Sequence, residues 1–450
     1  MDIVILIGSF TIVCLMGMPV AYALGFAAIL GALWTGIPLE AVMLKVSGGM
    51  SGFSLLAIPF FILCGAIMAV GGMAERLVNL AKVFVGVIRG GMALVNIVAS
   101  TMFGCISGSS VADTAAVGSV MIPQMIKNGY PRLFAVNVTI SGSLQPLLLP
   151  PSHNMVIYSL AAGGTISVAH LFMAGVIPAL LLGLSLVVLV LIIAQRDNFP
   201  KGEAVPLRQA LKIALDAVWG LVTIVIILGG ILTGVFTPTE SAAVACVYAF
   251  LVTMFVYRDC KWSELPKLVA RVIRTVGMVM IMIGFSIAFG YMMAILQVPA
   301  KAAAFFVAIS SDKYVFLLYI NVLLLLLGTF MDLAPMLLIC TPIFLPVVKQ
   351  FGIDPVHFGI IMILNLGIGL LTPPVGPTMV VGCAIGGVSM EAVSRSILIF
   401  YVPMLVVLLA LPFNAFANWC LMFGHLGFPV DDPHAIQKDM IHLRMARTGQ

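Results

Sequence analysis

Long apolar runs with almost no charge constrain the fold of this chain more than any other feature. Residues 180–194 and 221–232 are examples, and only 9% of the 450 residues are charged. A soluble globular protein carries about 25% charged residues. Because unpaired backbone groups are costly in hydrocarbon, spans must be helices or a closed barrel. The strands of a barrel alternate apolar and polar residues over segments of about ten residues, whereas these runs are continuously apolar. The chain is therefore predicted to be an all-α polytopic membrane protein.

Basic connectors between the apolar segments indicate how the chain crosses the membrane. Residues 75–90, 196–213 and 258–274 carry three, four and five Lys or Arg residues. The positive-inside rule places all three in the cytoplasm. The segments 92–126 and 314–347 are then predicted to be re-entrant hairpins that enter from opposite sides. With about 20 apolar residues in each span, we expect about ten to twelve transmembrane helices.

Proline and glycine residues at equivalent places predict two structural repeats. Each set follows a predicted hairpin and ends in a Pro-Pro pair, which breaks a helix inside an apolar segment. Paired interruptions of this kind, with hairpins of opposite entry, are typical of an inverted repeat. The matched residues, each 223 positions apart, are Pro123 with Pro346, Gly129 with Gly352, Pro150 with Pro373 and Pro151 with Pro374.

The same pattern predicts how the chain is divided. Residues 1–195 form the first inverted repeat and residues 215–424 form the second. Residues 196–214 are a cytoplasmic linker between them. Residues 425–450 turn polar and are predicted to be a tail outside the bilayer.

The tip of the first hairpin is the first candidate site. It contains Ser107, Gly108, Ser109 and Ser110, with Asp113 three residues further on. Freed carbonyls and serine hydroxyls can replace the hydration shell of a cation, and a half-helix N-terminus can hold a carboxylate. A Gly/Ser packing face is the alternative interpretation. An intramembrane carboxylate is costly and usually functional, so Asp113 favours a binding site.

The first Pro-Pro break is the second candidate site. Pro150 and Pro151 remove two amide donors in the middle of a span. Ser152, His153 and Asn154 then offer polar groups at membrane depth. His153 could carry a proton, although a lone histidine is more often a hydrogen-bonded structural residue.

The second half supplies the matching candidates at its hairpin tip and its Pro-Pro break. The reasoning for Asp332 is the same as that for Asp113. The candidate binding region of this half is predicted to contain Gly328, Asp332, Pro335, Thr372, Pro373, Pro374 and Gly376.

Other function classes find little support in the sequence. The run 236–241 has the pattern of a turn and helix start, so Glu240 is interpreted as a structural residue rather than a substrate ligand.

No HExxH or GxSxG motif is present, and the two carboxylates lie in different halves. The net charge of +5 is spread over loops and does not indicate nucleic-acid binding. No CxxC pair suggests a transition-metal site. The chain is therefore not predicted to be an enzyme.

Several motifs, in the same order as in a known family, resemble the large permease subunit (DctM-like) of tripartite ATP-independent periplasmic (TRAP) transporters. The likeness runs from about residue 1 to residue 415. It is carried by Ser51–Ile67, the Ser107–Ser110 tip, Leu149–Ser152, Gly234–Glu240, Gly352–Pro355 and Leu371–Gly376.

This resemblance implies an elevator-type, multi-pass transporter of the bacterial inner membrane. It implies sodium as the coupling ion without a further cofactor, and a small carboxylate as the substrate: a dicarboxylate, a sugar acid or a related acid. Membrane lipid, a small four-helix membrane subunit and a periplasmic substrate-binding protein are the implied partners. The alternative is a stand-alone ion-coupled carrier or proton antiporter of the same architecture.

The chain also departs from the family pattern at three places. Gly65-Ala66 replaces a common Gly-Glu, and His153-Asn154 is unusual after the first Pro-Pro pair. The approach to that pair, residues 142–149, is less rich in glycine than in the family. These differences leave the substrate and the first ion site open.

Overall fold

The computed structural model describes residues 2–202, 205–309 and 312–411, and they form a helical bundle. The predicted tail at 425–450 lies outside the described residues. The first eleven helices are α1 (Asp2–Leu15), α2 (Val20–Thr35), α3 (Leu39–Met50), α4 (Ala57–Val70), α5 (Met73–Val85), α6 (Gly91–Ser107), α7 (Ser110–Lys127), α8 (Arg132–Gly142), α9 (Gln145–Leu148), α10 (His153–Ala161) and α11 (Val168–Arg196).

The remaining helices start with α12, which begins at Leu207 within the basic connector at 196–213. A 3-10 turn at Phe53–Leu56 precedes α4, and a π-helical turn at Val252–Tyr257 extends α13. The later helices are α12 (Leu207–Leu232), α13 (Pro238–Leu251), α14 (Leu265–Ile295), α15 (Val298–Ile309), α16 (Lys313–Gly328), α17 (Leu333–Gln350), α18 (Pro355–Gly369), α19 (Pro377–Gly386), α20 (Met390–Ser396) and α21 (Leu398–Ala410).

The predicted all-α membrane fold is confirmed. Within the described ranges, five single helices are long and apolar enough to span a bilayer, and the number rises to eight if each of three bent pairs is one span. Six shorter apolar helices accompany them. The predicted ten to twelve membrane helices fit within this set.

The two hairpins and the two broken helices repeat along the chain. Helices α6 and α7 form hairpin one, with its tip at 108–109, and α16 and α17 form hairpin two, with its tip at 329–332. Helix α17 begins 223 residues after α7, and α18 begins 223 residues after α8. The break between α9 and α10 contains Pro150-Pro151, and the break between α18 and α19 contains Pro373-Pro374; both peptide bonds are cis. The exact repeat boundaries at 195 and 215 stay predictions.

Two apolar clusters hold the helices together. The larger one contains the hairpins, the broken helices and α11, with buried side chains such as Phe103, Tyr158 and Phe358. The smaller one joins α1, α2 and α3 to α14. Many large apolar side chains of α12 and α13 remain exposed, as expected for surfaces that face lipid.

The basic connectors come together on one face of the protein. Arg76 binds Asp216 at 3.2 Å and Asp259 at 2.7 Å, and its guanidinium lies 3.7 Å from the centre of the Tyr257 ring. The amide of Gly90 donates to the carbonyl of Pro200 at 3.2 Å. Residues 75–90 therefore contact the segments on either side of α12 and α13, as a shared side of the membrane requires.

The turn before α13 has the structure that its sequence indicates. The Thr237 hydroxyl accepts from the Glu240 amide at 3.3 Å, and the Thr237 amide donates to the Glu240 carboxylate at 2.8 Å. This reciprocal pair is a capping box, which satisfies two helix-terminal amides. Glu240 is thus engaged in starting a helix.

Candidate functional site

The tip of hairpin one lies against the first Pro-Pro break. Gly108 adopts a left-handed conformation with φ +59°, and its carbonyl accepts a hydrogen bond of 3.5 Å from the Asn154 amide group. A Cβ atom on Gly108 would collide with the Pro151 carbonyl oxygen and lie 3.0 Å from the Ser152 Cα. Only glycine allows this approach of the two backbones. The structure therefore joins the two candidate sites of the first half.

The tip of hairpin two lies against the second break in the same way. A Cβ atom on Gly328 would be 3.3 Å from the Gly369 Cα, so the two backbones are in close contact. The Val375 amide, inside the break, donates to the Thr329 carbonyl at the tip over 3.4 Å. Each half thus brings a hairpin tip and a broken helix together.

The first half contains buried oxygen atoms that lack hydrogen-bond partners among the residues that the structure describes. These are the hydroxyls of Ser107 and Ser152 and both carboxylate oxygens of Asp113, which is 0% exposed. The hydroxyls of Ser100 and Thr114 are also buried and unpartnered; Ser100 faces Asp113 without a well-directed hydrogen bond. Buried polar groups are costly unless they are paired. A cation bound beside the tip would supply a partner for those of these oxygens that it reaches.

The second half offers a different environment for its carboxylate. Asp332 is exposed and precedes α17, where its side chain makes no capping hydrogen bond. Pro335 is buried in the first turn of that helix. With the repeat offset of 223, Asp332 corresponds to Ser109, and Asp113 corresponds to Met336. The two carboxylates therefore do not occupy equivalent positions in the two halves.

Around the second break, hydroxyl groups hold the backbone in place. The Thr372 hydroxyl donates to the Ile368 carbonyl at 3.0 Å and lies 3.1 Å from the Tyr401 hydroxyl. Tyr401 donates to the Leu371 carbonyl at 2.9 Å. Pro374 is exposed, whereas Gly376 is buried. The chain on either side of Pro373-Pro374 is thus fixed by local contacts and by a side chain of α21.

The two halves meet through side chains of the half-helix N-termini. The Ser110 hydroxyl at the start of α7 lies 3.0 Å from that of Thr378, near the start of α19. It also lies 3.0 Å from the Ser143 hydroxyl, between α8 and α9. Ser109 caps α7 by accepting from the Ala112 amide. The His153 side chain is partly buried and makes no hydrogen bond to any residue that the structure describes.

Three residues of this region were not among the sequence predictions: Ser143, Thr378 and Tyr401. Thr378 lies beside a predicted motif, so a wider window around the second break would have included it. Ser143 and Tyr401 come from other segments, and nothing in their local sequence indicates these contacts.

A helical membrane protein with two opposed hairpins, each seated against a broken helix at membrane depth, belongs to the class of multi-pass transporters. The family follows from sequence comparison. The sequence model of the "Tripartite ATP-independent periplasmic transporter, DctM component" matches residues 7–415. The chain belongs to this family and is a multi-pass protein of the bacterial inner membrane. The resemblance seen in the motifs is confirmed.

Known relatives cover most of the chain. The C4-dicarboxylate TRAP transporter large permease protein DctM of Pseudomonas aeruginosa is 42% identical over 84% of this chain and 90% of its own length. The isethionate TRAP transporter permease protein DctMQ of Oleidesulfovibrio alaskensis is 38% identical over 90% of this chain and 64% of its own length. Both are transport permeases, which agrees with the family assignment.

A solved structure shares the fold. The crystal structure of the Alcanivorax borkumensis YdaH transporter superposes with a TM-score of 0.62, covering 86% of this chain and 89% of that one. The two sequences are 14% identical, so the likeness concerns the fold alone.

Proposed function

We propose that this chain is the large membrane subunit of a sodium-driven TRAP transporter that takes up a small organic acid by an elevator-type movement. The observation that carries the proposal is the group of unpartnered buried oxygens beside the first hairpin tip. Ser107, Asp113 and Ser152 contribute four such oxygen atoms. Oxygen ligands of this kind suit a hard cation, and an intramembrane carboxylate needs a positive partner.

Sodium binding in the second half rests on backbone geometry. At Gly328 and Gly369 the backbone of hairpin two contacts the backbone of the second broken helix. The Thr372 hydroxyl lies close by on the same broken helix. Carbonyls released at helix ends can coordinate a cation at such a junction. Each hairpin tip and its broken helix would then form one sodium site. We call the sodium site in each half of the chain a half-site.

The substrate is proposed to be a small carboxylate: a dicarboxylate, a sugar acid or a related acid. The four candidate runs contain no Lys or Arg, and the nearest in the first half are Lys127 and Arg132. Four half-helices, α7, α10, α17 and α19, begin at the tips and breaks. Their N-terminal dipoles, the nearby hydroxyls and bound sodium would offset the negative charge. The names of the two relatives give C4-dicarboxylate and isethionate, which are small organic anions.

Two protein partners complete the proposal. The word tripartite in the family description supports a small four-helix membrane subunit and a periplasmic substrate-binding protein. The relative named DctMQ extends beyond the region matched by this chain, which supports a second membrane subunit.

Uptake by proteoliposomes tests the ion and the partners. The chain is reconstituted with the proposed small subunit, and radiolabelled succinate is offered together with the binding protein. Uptake is expected to need an inward sodium gradient and no ATP. Unchanged uptake with potassium on both sides would show that sodium is not the coupling ion. Uptake without the binding protein would favour the stand-alone carrier, and dependence on a proton gradient would favour a proton antiporter.

A further inference from the structure

Three buried hydroxyl groups form a continuous chain between the two halves. Ser110, Ser143 and Thr378 are each at most 1% exposed. The Ser110 oxygen lies 3.0 Å from the oxygens of both Ser143 and Thr378. Ser143 in turn donates to the Ile140 carbonyl at 2.7 Å. We call these three hydroxyls and the Ile140 carbonyl the hydroxyl relay.

The direction of every hydrogen bond in the hydroxyl relay is fixed by its last member. A carbonyl can only accept, and a hydroxyl has one hydrogen to donate. Because Ser143 uses its hydrogen on Ile140, it must accept from Ser110. Ser110 has then used its own hydrogen, so it must accept from Thr378. The hydroxyl relay therefore runs one way and depends on Thr378 as its first donor.

Two members of the hydroxyl relay, Ser110 and Thr378, lie next to the two half-sites. Ser110 follows the tip of hairpin one, two residues after Gly108, whose backbone contacts the first break. Thr378 follows the second break, three residues after Val375, whose amide bonds the Thr329 carbonyl at the tip of hairpin two. A displacement of the first tip thus reaches the start of α19 through the single hydrogen bond between Ser110 and Thr378.

We propose that Thr378 is a positioning residue that couples sodium binding at the two half-sites. The proposal rests on the proposed function, because it takes sodium as the ligand. Occupation of the first half-site orders the tip and Ser110, and the hydroxyl relay then holds α19 and the second break in their binding arrangement. Sodium ions consequently bind with positive cooperativity, since ordering one half-site favours the other.

Sodium-dependent thermal stabilisation of the purified full-length chain tests this coupling without a known substrate. Sodium is titrated against potassium at constant ionic strength. The wild-type chain is expected to give a Hill coefficient above 1. Thr378→Val keeps the shape but removes the donor, so the coefficient falls towards 1 and half-saturation moves to about fivefold to tenfold more sodium. Thr378→Ser restores the donor and the cooperativity.

A matched control separates the hydroxyl relay from the general effect of losing a buried hydroxyl. Thr223 in α12 is also 0% exposed, and its hydroxyl has no hydrogen-bond partner within the described part of the chain. Thr223→Val makes the same chemical change and is expected to leave the sodium titration unchanged. A similar loss of cooperativity in this control would overturn the proposal.

A double-mutant cycle tests the path. Ser143 and Thr378 are joined through Ser110. If the hydroxyl relay operates, the effects of Ser143→Ala and Thr378→Val overlap, and the double variant is no weaker than the worse single one. Additive effects would overturn the path. Should Thr378→Val not accumulate in the membrane, Ser143→Ala at the other end is expected to lower the Hill coefficient by itself.

The outcomes keep the two proposals apart. Absence of any sodium-dependent stabilisation in the wild-type chain would contradict sodium coupling itself. Clear stabilisation with a wild-type Hill coefficient of 1, or with an unchanged coefficient in Thr378→Val, would leave sodium coupling in place and refute the role of Thr378.

Discussion

Replacing Gly108 by alanine tests the contact between the first hairpin tip and the first break. Two effects oppose the new methyl group. The left-handed conformation at φ +59° costs a residue with a Cβ atom about 1 kcal/mol. The Cβ would also collide with the Pro151 carbonyl and lie 3.0 Å from the Ser152 Cα, and both are backbone atoms that cannot rotate away. Overpacking of this kind costs about 1–3 kcal/mol.

Together these terms give a penalty of about 2–4 kcal/mol for the arrangement of tip and break. If transport needs that arrangement, uptake is expected to fall by about 30-fold to about 700-fold. The assay is the initial rate of sodium-driven uptake in proteoliposomes, normalised to the amount of reconstituted protein. The chain should still insert and purify, because the clash is confined to one contact.

Gly129 provides the matched control. Its φ is +82°, but no atom lies within 4 Å of the position that a Cβ would take. Gly129→Ala therefore pays the conformational cost without the clash, and it should retain most of the uptake. If Gly108→Ala and Gly129→Ala had equal activity, the close contact at Pro151 would not matter for transport, and the site would have been placed wrongly.

Three further predictions concern residues of the connectors outside the candidate site. Arg132→Ala should lower uptake only about twofold, because Arg132 is exposed and its field is screened; specific loss of substrate binding in this variant would contradict a site without an Arg clamp. Arg76→Leu should lower the free energy of unfolding by about 1–2 kcal/mol through its two ion pairs and its ring contact, seen as a lower thermal midpoint. Cysteine at Ser263 should react with an impermeant maleimide in inside-out vesicles only, and labelling in intact cells would reverse the proposed topology.

The backbone of the site could be predicted from the sequence because its signals are local. Tandem prolines break a helix wherever they stand in it, and the Gly/Ser run at 107–110 permits a tight tip. Charge counts over short connectors predict the direction of each crossing. These features need no knowledge of distant contacts, so hairpin one, predicted at 92–126, matches α6 and α7 closely.

Side-chain environments were harder to predict because they depend on packing between segments. Asp113 and Asp332 look alike in sequence, yet the first is fully buried and the second is exposed. The two residues differ in their place relative to the helix start, because Asp332 immediately precedes α17 whereas Asp113 lies inside the first turn of α7. Ser143 and Thr378 meet Ser110 only after the halves are assembled.

The pairing of Gly90 with Pro200 has a mechanical consequence. The Arg89 side chain also donates to the Asn198 side chain at 2.9 Å, and Arg89 and Lys201 form an antiparallel β-bridge. The chain therefore leaves this point, builds hairpin one, the first broken helix and α11, and returns to the same point. If residues 90–200 move as a rigid unit, both of their covalent connections to the rest of the chain bend at this one place. Strengthening the contacts at this attachment would therefore slow the displacement of residues 90–200 without changing any residue proposed to bind the ion or the substrate.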